Sequence, residues 1–120
     1  MKILNLTQHT ASPEQLSSGV VEPTPELKVK IKELLTFNSL PAQNEILGRA
    51  LALAGLVETL DEEFSHAMIG GAPFFMSALE KELREIGVTP LYAFSQRVVE
   101  EKEDGSEKKV FFRHEGFVEV

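Results

Sequence analysis

Cysteine is absent from the 120 residues. That excludes a disulfide framework, a thiolate metal site and a cysteine nucleophile. Histidine is sparse. His9, His66 and His114 stand far apart, with no ligand spacing such as H-E-x-x-H, so neither a metal nor a cofactor is expected. No apolar run approaches the ~20 residues of a membrane span. The start, Met1-Lys2-Ile3-Leu4-Asn5-Leu6, turns polar too soon for a secretory leader; the expected location is cytoplasmic, away from any membrane. Positive charge is in deficit, with 12 Lys and Arg against 19 Asp and Glu and a formal net charge of −7. Duplex nucleic acid needs a basic footprint for its phosphates and is not expected as a partner. A small anionic or nucleotide ligand held by a few local donors stays open.

What is present is ordinary globular composition, 42% hydrophobic and 26% charged. The length fits a single α/β domain over residues 1–120 with a sizeable core. Lys2 to Leu6 reads as a short buried strand. Ser12-Pro13-Glu14-Gln15 has the form of a capping box, opening a short helix that Gly19 ends. Val20-Val21 is a brief strand or an extended link. Thr24-Pro25-Glu26 repeats the cap-then-proline signal before Leu27, Ile31, Leu34 and Leu35 at helical spacing. Ala42 to about Val57 carries an apolar stripe of Ile46, Leu47, Ala50, Leu51, Leu53 and Ala54. A strand at Ala67 to Ile69 and a helix from Pro73 to about Ile86 follow, with Gly87 as the stop. Pro90 to Ser95 reads as a third strand. Gln96 to Lys102 and Lys108 to His114 flank Glu103-Asp104-Gly105-Ser106, a strong hairpin signal, and Phe117 to Val120 can close the sheet. The pattern predicts a parallel core sheet with an antiparallel C-terminal hairpin.

The chain is organised around His66-Ala67-Met68-Ile69-Gly70-Gly71-Ala72-Pro73, a strand, tight turn and helix start. Gly70 and Gly71 permit positive φ or close approach to a ligand, and Pro73 fits the first helical turn. Free N–H groups there, with the helix dipole, suit an anion. If the first three strands are parallel, their carboxyl ends share the rim where open α/β sheets bind ligands. Delivered to that rim are Thr7, Gln8, His9 and Thr10, then Gly70, Gly71 and Ala72, then Ser95, Gln96 and Arg97. The His9 imidazole can hold or transfer a proton; with Thr7 and Thr10 it forms the candidate catalytic set. Gln8, Gly70, Gly71, Ala72, Ser95, Gln96 and Arg97 are the candidate ligand-binding set, Arg97 having donors that match phosphate. Plainer readings exist. Gly70-Gly71 also works as a packing turn, Thr7 to Thr10 as a polar loop, and Arg97 as a partner for the acidic tail. His66 reads as structural, and Arg113-His114 as a solvated edge or, alternatively, a segment closing over the site. Phe74, Phe75 and Met76 belong to the core or to a subunit interface, and exposed beside the rim they would suit a homodimer.

Thr7-Gln8-His9-Thr10 after the first strand, Gly-Gly-Ala-Pro before a helix, and a strand ending in Ser95 together resemble a family of small uncharacterised bacterial and phage proteins. The layout is more distantly similar to compact, Rossmann-like three-layer CARF proteins that accompany type III CRISPR systems in antiviral defence. Some of those resemble ring nucleases, which bind a cyclic oligoadenylate across a homodimer and cleave it. The resemblance implies a nucleotide-binding protein, in its sharpest form a metal-independent phosphodiesterase in which a ribose 2′-hydroxyl attacks the adjacent phosphorus. The alternative is a non-enzymatic dimeric interaction or regulatory module.

Overall fold

Alternation of apolar side chains along three short strands sets the layers, because successive residues of a strand point to opposite faces. The structure is a computed structural model and describes residues 1–101 and 108–120. The elements in chain order are β1 (Ile3–Leu6), α1 (Pro13–Ser17), β2 (Val20–Val21), α2 (Pro25–Leu35), α3 (Gln43–Glu58), β3 (His66–Ile69), α4 (Pro73–Glu85), β4 (Thr89–Glu101) and β5 (Lys108–Glu119). They build one five-stranded sheet of order β2-β1-β3-β4-β5. The first four strands are mutually parallel, and β4 and β5 are antiparallel. This is the α/β architecture expected from the sequence, compatible with a small Rossmann-like domain.

Leu4, Leu6, Ala67 and Ile69 face the larger core, where they meet Ile31 and Leu35 of α2, Leu53 of α3, and Phe75, Leu79 and Leu83 of α4. Ile3, Met68 and Leu91 face the other way, into a smaller cluster with Ala11 and Val20. The two outer layers are therefore unequal: α1 has five residues and buries none of them. The helix boundaries follow local chemistry. Ser12 and Gln15 form the reciprocal capping box, Thr24 caps α2, and prolines occupy the first turns of α1, α2 and α4. Arg49 of α3 donates to the carbonyls of Glu33, Leu34 and Thr36 at 2.7–3.2 Å. It thereby satisfies the C-terminus of α2 with a cation.

Three sequence expectations change. The third strand does not stop at Ser95 but continues to Glu101, and β5 runs unbroken through Phe117 and Val118. Beyond Leu91, β4 leaves β3 and pairs with β5 alone, forming a two-stranded arm with one irregularity between Phe94 and Ser95. Opposed Val98 and Phe111, then Val99 and Val110, continue the ladder with residues that favour strands. The expected turn at Glu103-Asp104-Gly105-Ser106 lies outside the described residues. Secondly, of the two places open to Phe74, Phe75 and Met76, the core takes Phe75 and Met76, and only Phe74 is exposed, its ring edge-packed on Phe37 at 5.0 Å. An exposed Phe74-Phe75-Met76 cluster does not exist. Thirdly, His114 is not a solvated edge residue. Both its ring nitrogens are buried with no partner among the described residues, the ring stacks edgewise on Phe117 at 4.9 Å, and its backbone N–H donates to Glu14 of α1.

Candidate functional site

Order β2-β1-β3 means that the chain leaves β1 in one direction and returns on its other side, so a topological switch point lies between β1 and β3. In register, Leu6 is opposite Ile69. The loop Thr7 to Thr10 and the turn Gly70-Gly71 therefore leave the sheet side by side at one rim. A Cβ on Gly70 would lie 3.6 Å from the Thr7 methyl. Gly71 has φ of 155° and a Cβ there would meet Met76 at 3.3 Å, so glycine is required where the turn presses on the core.

The loop is held from beneath by Asn5, a polar residue only 2% exposed within an otherwise apolar strand. Its amide donates to the His9 carbonyl at 2.8 Å and to Glu22 Oε1 at 2.7 Å. Its Oδ1 accepts from the Thr7 N–H at 2.9 Å and the Thr7 hydroxyl at 2.7 Å. Glu22 Oε1 also accepts from the Ala11 N–H at 2.9 Å, and Lys28 pairs with the other carboxylate oxygen. Burial pulls the Glu22 carboxyl upward, but hydrogen bonds from Lys28, Asn5 and Ala11 outweigh it and hold the group below the ordinary glutamate range. Both ends of the loop are thus tied to one polar network. The Thr7 hydroxyl is committed to this network, since it also accepts from the His9 N–H at 3.2 Å. Gln8, His9 and Thr10 are exposed.

Two cavities flank the loop. One, of about 150 Å³, lies toward α2 and is lined by Thr7, Gln8, His9 and Thr10 together with Lys28 and Lys32. The other, of about 280 Å³, is lined by Thr7, His9 and Thr10 on one side and by Met68, Gly70, Tyr92 and Ala93 on the other. The Tyr92 hydroxyl donates to Glu80 Oε2 at 2.6 Å. Burial first, and the Glu80 carboxylate second, push this phenol above its ordinary value, so it stays a neutral donor.

The structure brings together Thr7, Gln8, His9, Thr10 and Gly70. Gly71 follows Gly70 at the same rim without lining either cavity, as does Ala72, which begins α4 with no side-chain cap. Ser95, Gln96 and Arg97 sit within β4 on the arm, opposite His114, Arg113 and Phe112, and line neither cavity. The residues that β4 delivers to the rim are Tyr92 and Ala93, because the rim is set by where β3 ends rather than by where β4 ends. Asn5, Glu22, Lys28 and Lys32 were not anticipated. A lone amide inside an apolar strand was the available signal for Asn5; the lysines carry none, since their place depends on how α2 packs. Among the described residues, no three His, Cys, Asp or Glu side chains gather closely enough to hold a metal ion. Among them, too, no helix is long and apolar enough to cross a membrane.

Residues 1–118 match the model of the Uncharacterized protein MJ1673 family. The chain belongs to that family. No curated protein and no solved structure matches it. Membership spans nearly the whole chain but brings no chemistry with it, so the functional reading rests on the rim.

Proposed function

We propose that the chain binds a small phosphorylated, nucleotide-like ligand at the rim between β1, β3 and β4. The sharpest form of this reading is metal-independent cleavage of a phosphodiester, as in a ring nuclease acting on a cyclic oligonucleotide. The observation that carries it is the placement of His9 and Thr10 on an anchored loop at the switch point, with a cavity on either side. An imidazole there can transfer a proton, and a loop fixed by Asn5 presents it without reorganisation. The resemblance of the layout to CARF proteins and ring nucleases points the same way.

The test is cleavage of cyclic and linear oligonucleotides by the purified chain, with binding measured in parallel and EDTA added in one arm. Cleavage insensitive to EDTA is the expected result. Binding without cleavage leaves a nucleotide-binding protein and removes the enzyme. Absence of both removes the nucleotide reading.

A second reading, a dimeric interaction or regulatory module, is favoured by the arm, where Phe94, Val99, Val110 and Phe112 are exposed. Two-stranded ribbons are marginal alone in water, so a second copy covering those residues would stabilise them. Sedimentation equilibrium at micromolar concentration tests it, and a monomer throughout would sink it.

A further inference from the structure

Lys28 and Lys32 stand one turn apart on α2, at the spacing that puts two side chains on one helical face. Both line the smaller cavity. Lys28 is already paired with Glu22, so its charge is largely offset. Lys32 has no carboxylate within ion-pair distance among the described residues, which leaves an uncompensated ammonium on the α2 side of the loop. The larger cavity has a different character. Met68, Ile69, Tyr92 and Ala93 give it an apolar wall, and the bond from Tyr92 to Glu80 tethers the aromatic ring in place. Thr7, His9 and Thr10 line both spaces. Each cavity alone is below the roughly 300 Å³ at which ligand pockets usually begin, whereas a ligand reaching into both would have more than that.

We infer that one ligand straddles the loop, its phosphate against Lys32 and a flat ring in the Tyr92 cavity, with His9 and Thr10 facing the portion between. This rests on the nucleotide reading and deepens it, because the ligand class becomes a nucleoside phosphate rather than free phosphate or a sugar phosphate. An ammonium serves as a point charge for phosphate, and an apolar wall with one fixed aromatic ring accepts the face of any base. A single lysine is enough for one phosphate group, in a chain whose overall negative charge disfavours long polyanions.

The experiment is an NMR titration of the ¹⁵N-labelled full chain with adenosine 3′-monophosphate, adenosine and inorganic phosphate. The nucleotide is expected to shift amides around both Lys32 and Tyr92, adenosine those around Tyr92 only, and phosphate those around Lys32 only. Lys32→Glu, at an exposed position that leaves the fold intact, should weaken the nucleotide about tenfold and leave adenosine unchanged. Tyr92→Ala should weaken the nucleotide and adenosine but not phosphate, and Tyr92→Phe, which keeps the ring, should restore them. Nucleotide binding unaffected by Lys32→Glu overturns the straddling arrangement while leaving the nucleotide reading standing. Failure of wild type to bind any of the three probes overturns both.

Discussion

The two rims of the sheet are built from the same strands yet offer opposite chemistry. At the amino-terminal rim a hollow of about 630 Å³ is lined by Glu58, Glu62 and Glu63 around Lys2, and Lys2 is already paired with Glu62. At the carboxyl-terminal rim the cavities are smaller, but they carry His9, hydroxyls, Lys32 and a loop anchored on a buried amide. Volume and chemical competence are separated here. The larger space repels an anion, and the smaller ones surround a group that can hold and move a proton. The fold is responsible for the difference, since the switch point between β1 and β3 exists at one rim only.

If that contrast is functional, the largest effect should come from His9. In a cleavage assay His9→Ala should lower turnover roughly 10²–10⁴-fold, the scale of general acid–base assistance, with ligand affinity changed far less. Equal losses in turnover and affinity would instead make His9 a binding group. Next comes the anchor. Asn5→Leu keeps the volume but strips Thr7 N–H, the His9 carbonyl and Glu22 of a buried partner. A destabilisation of about 2–4 kcal/mol is expected in urea unfolding. If stability is unchanged, the network does not hold the loop. An effect of acid follows from Glu22. Its folded pKa lies below the unfolded one, so its contribution is complete at neutral pH and is lost as pH falls through the folded value. Glu22→Gln should therefore flatten the acid limb of a stability-against-pH curve. An unaltered limb would assign that dependence to other carboxylates.

Legibility in the sequence followed the range of each interaction. The capping box at Ser12 and Gln15 and the cap at Thr24 were readable because both partners lie within one turn. The parallel core was readable because Ile3 to Leu6 and Ala67 to Ile69 are short apolar runs separated by helical patterns. The end of the third strand was not. Residues 95–101 favour a strand whether or not β3 is alongside, so strand propensity could not mark where the rim falls. That one ambiguity placed Ser95, Gln96 and Arg97 at the site in the sequence reading and left out Tyr92. Asn5 is not legible in the sequence because its four bonds, to His9, Glu22 and Thr7, exist only when the loop and β2 close over it. Lys32 was hidden for a similar reason, as the three lysines of α2 look alike until packing brings Lys28 and Lys32 to the loop.

The smallest expected effect belongs to Arg97, and it tests where the site ends. From the sequence, its guanidinium is a natural phosphate clamp. In the structure Arg97 lies on the arm opposite Phe112, five residues beyond Tyr92, and lines neither cavity. Exposed charges of this kind contribute ~0–1 kcal/mol, so Arg97→Ala should change nucleotide affinity by less than about fivefold. Glu62→Gln at the opposite rim serves as the reference for a substitution remote from the ligand, and the two should be indistinguishable. If Arg97→Ala instead weakens binding as strongly as Lys32→Glu while Glu62→Gln does nothing, the arm must fold over the rim when ligand is present. The site would then include β4 beyond Tyr92, and the arm would be part of the binding machinery rather than a surface for a second copy.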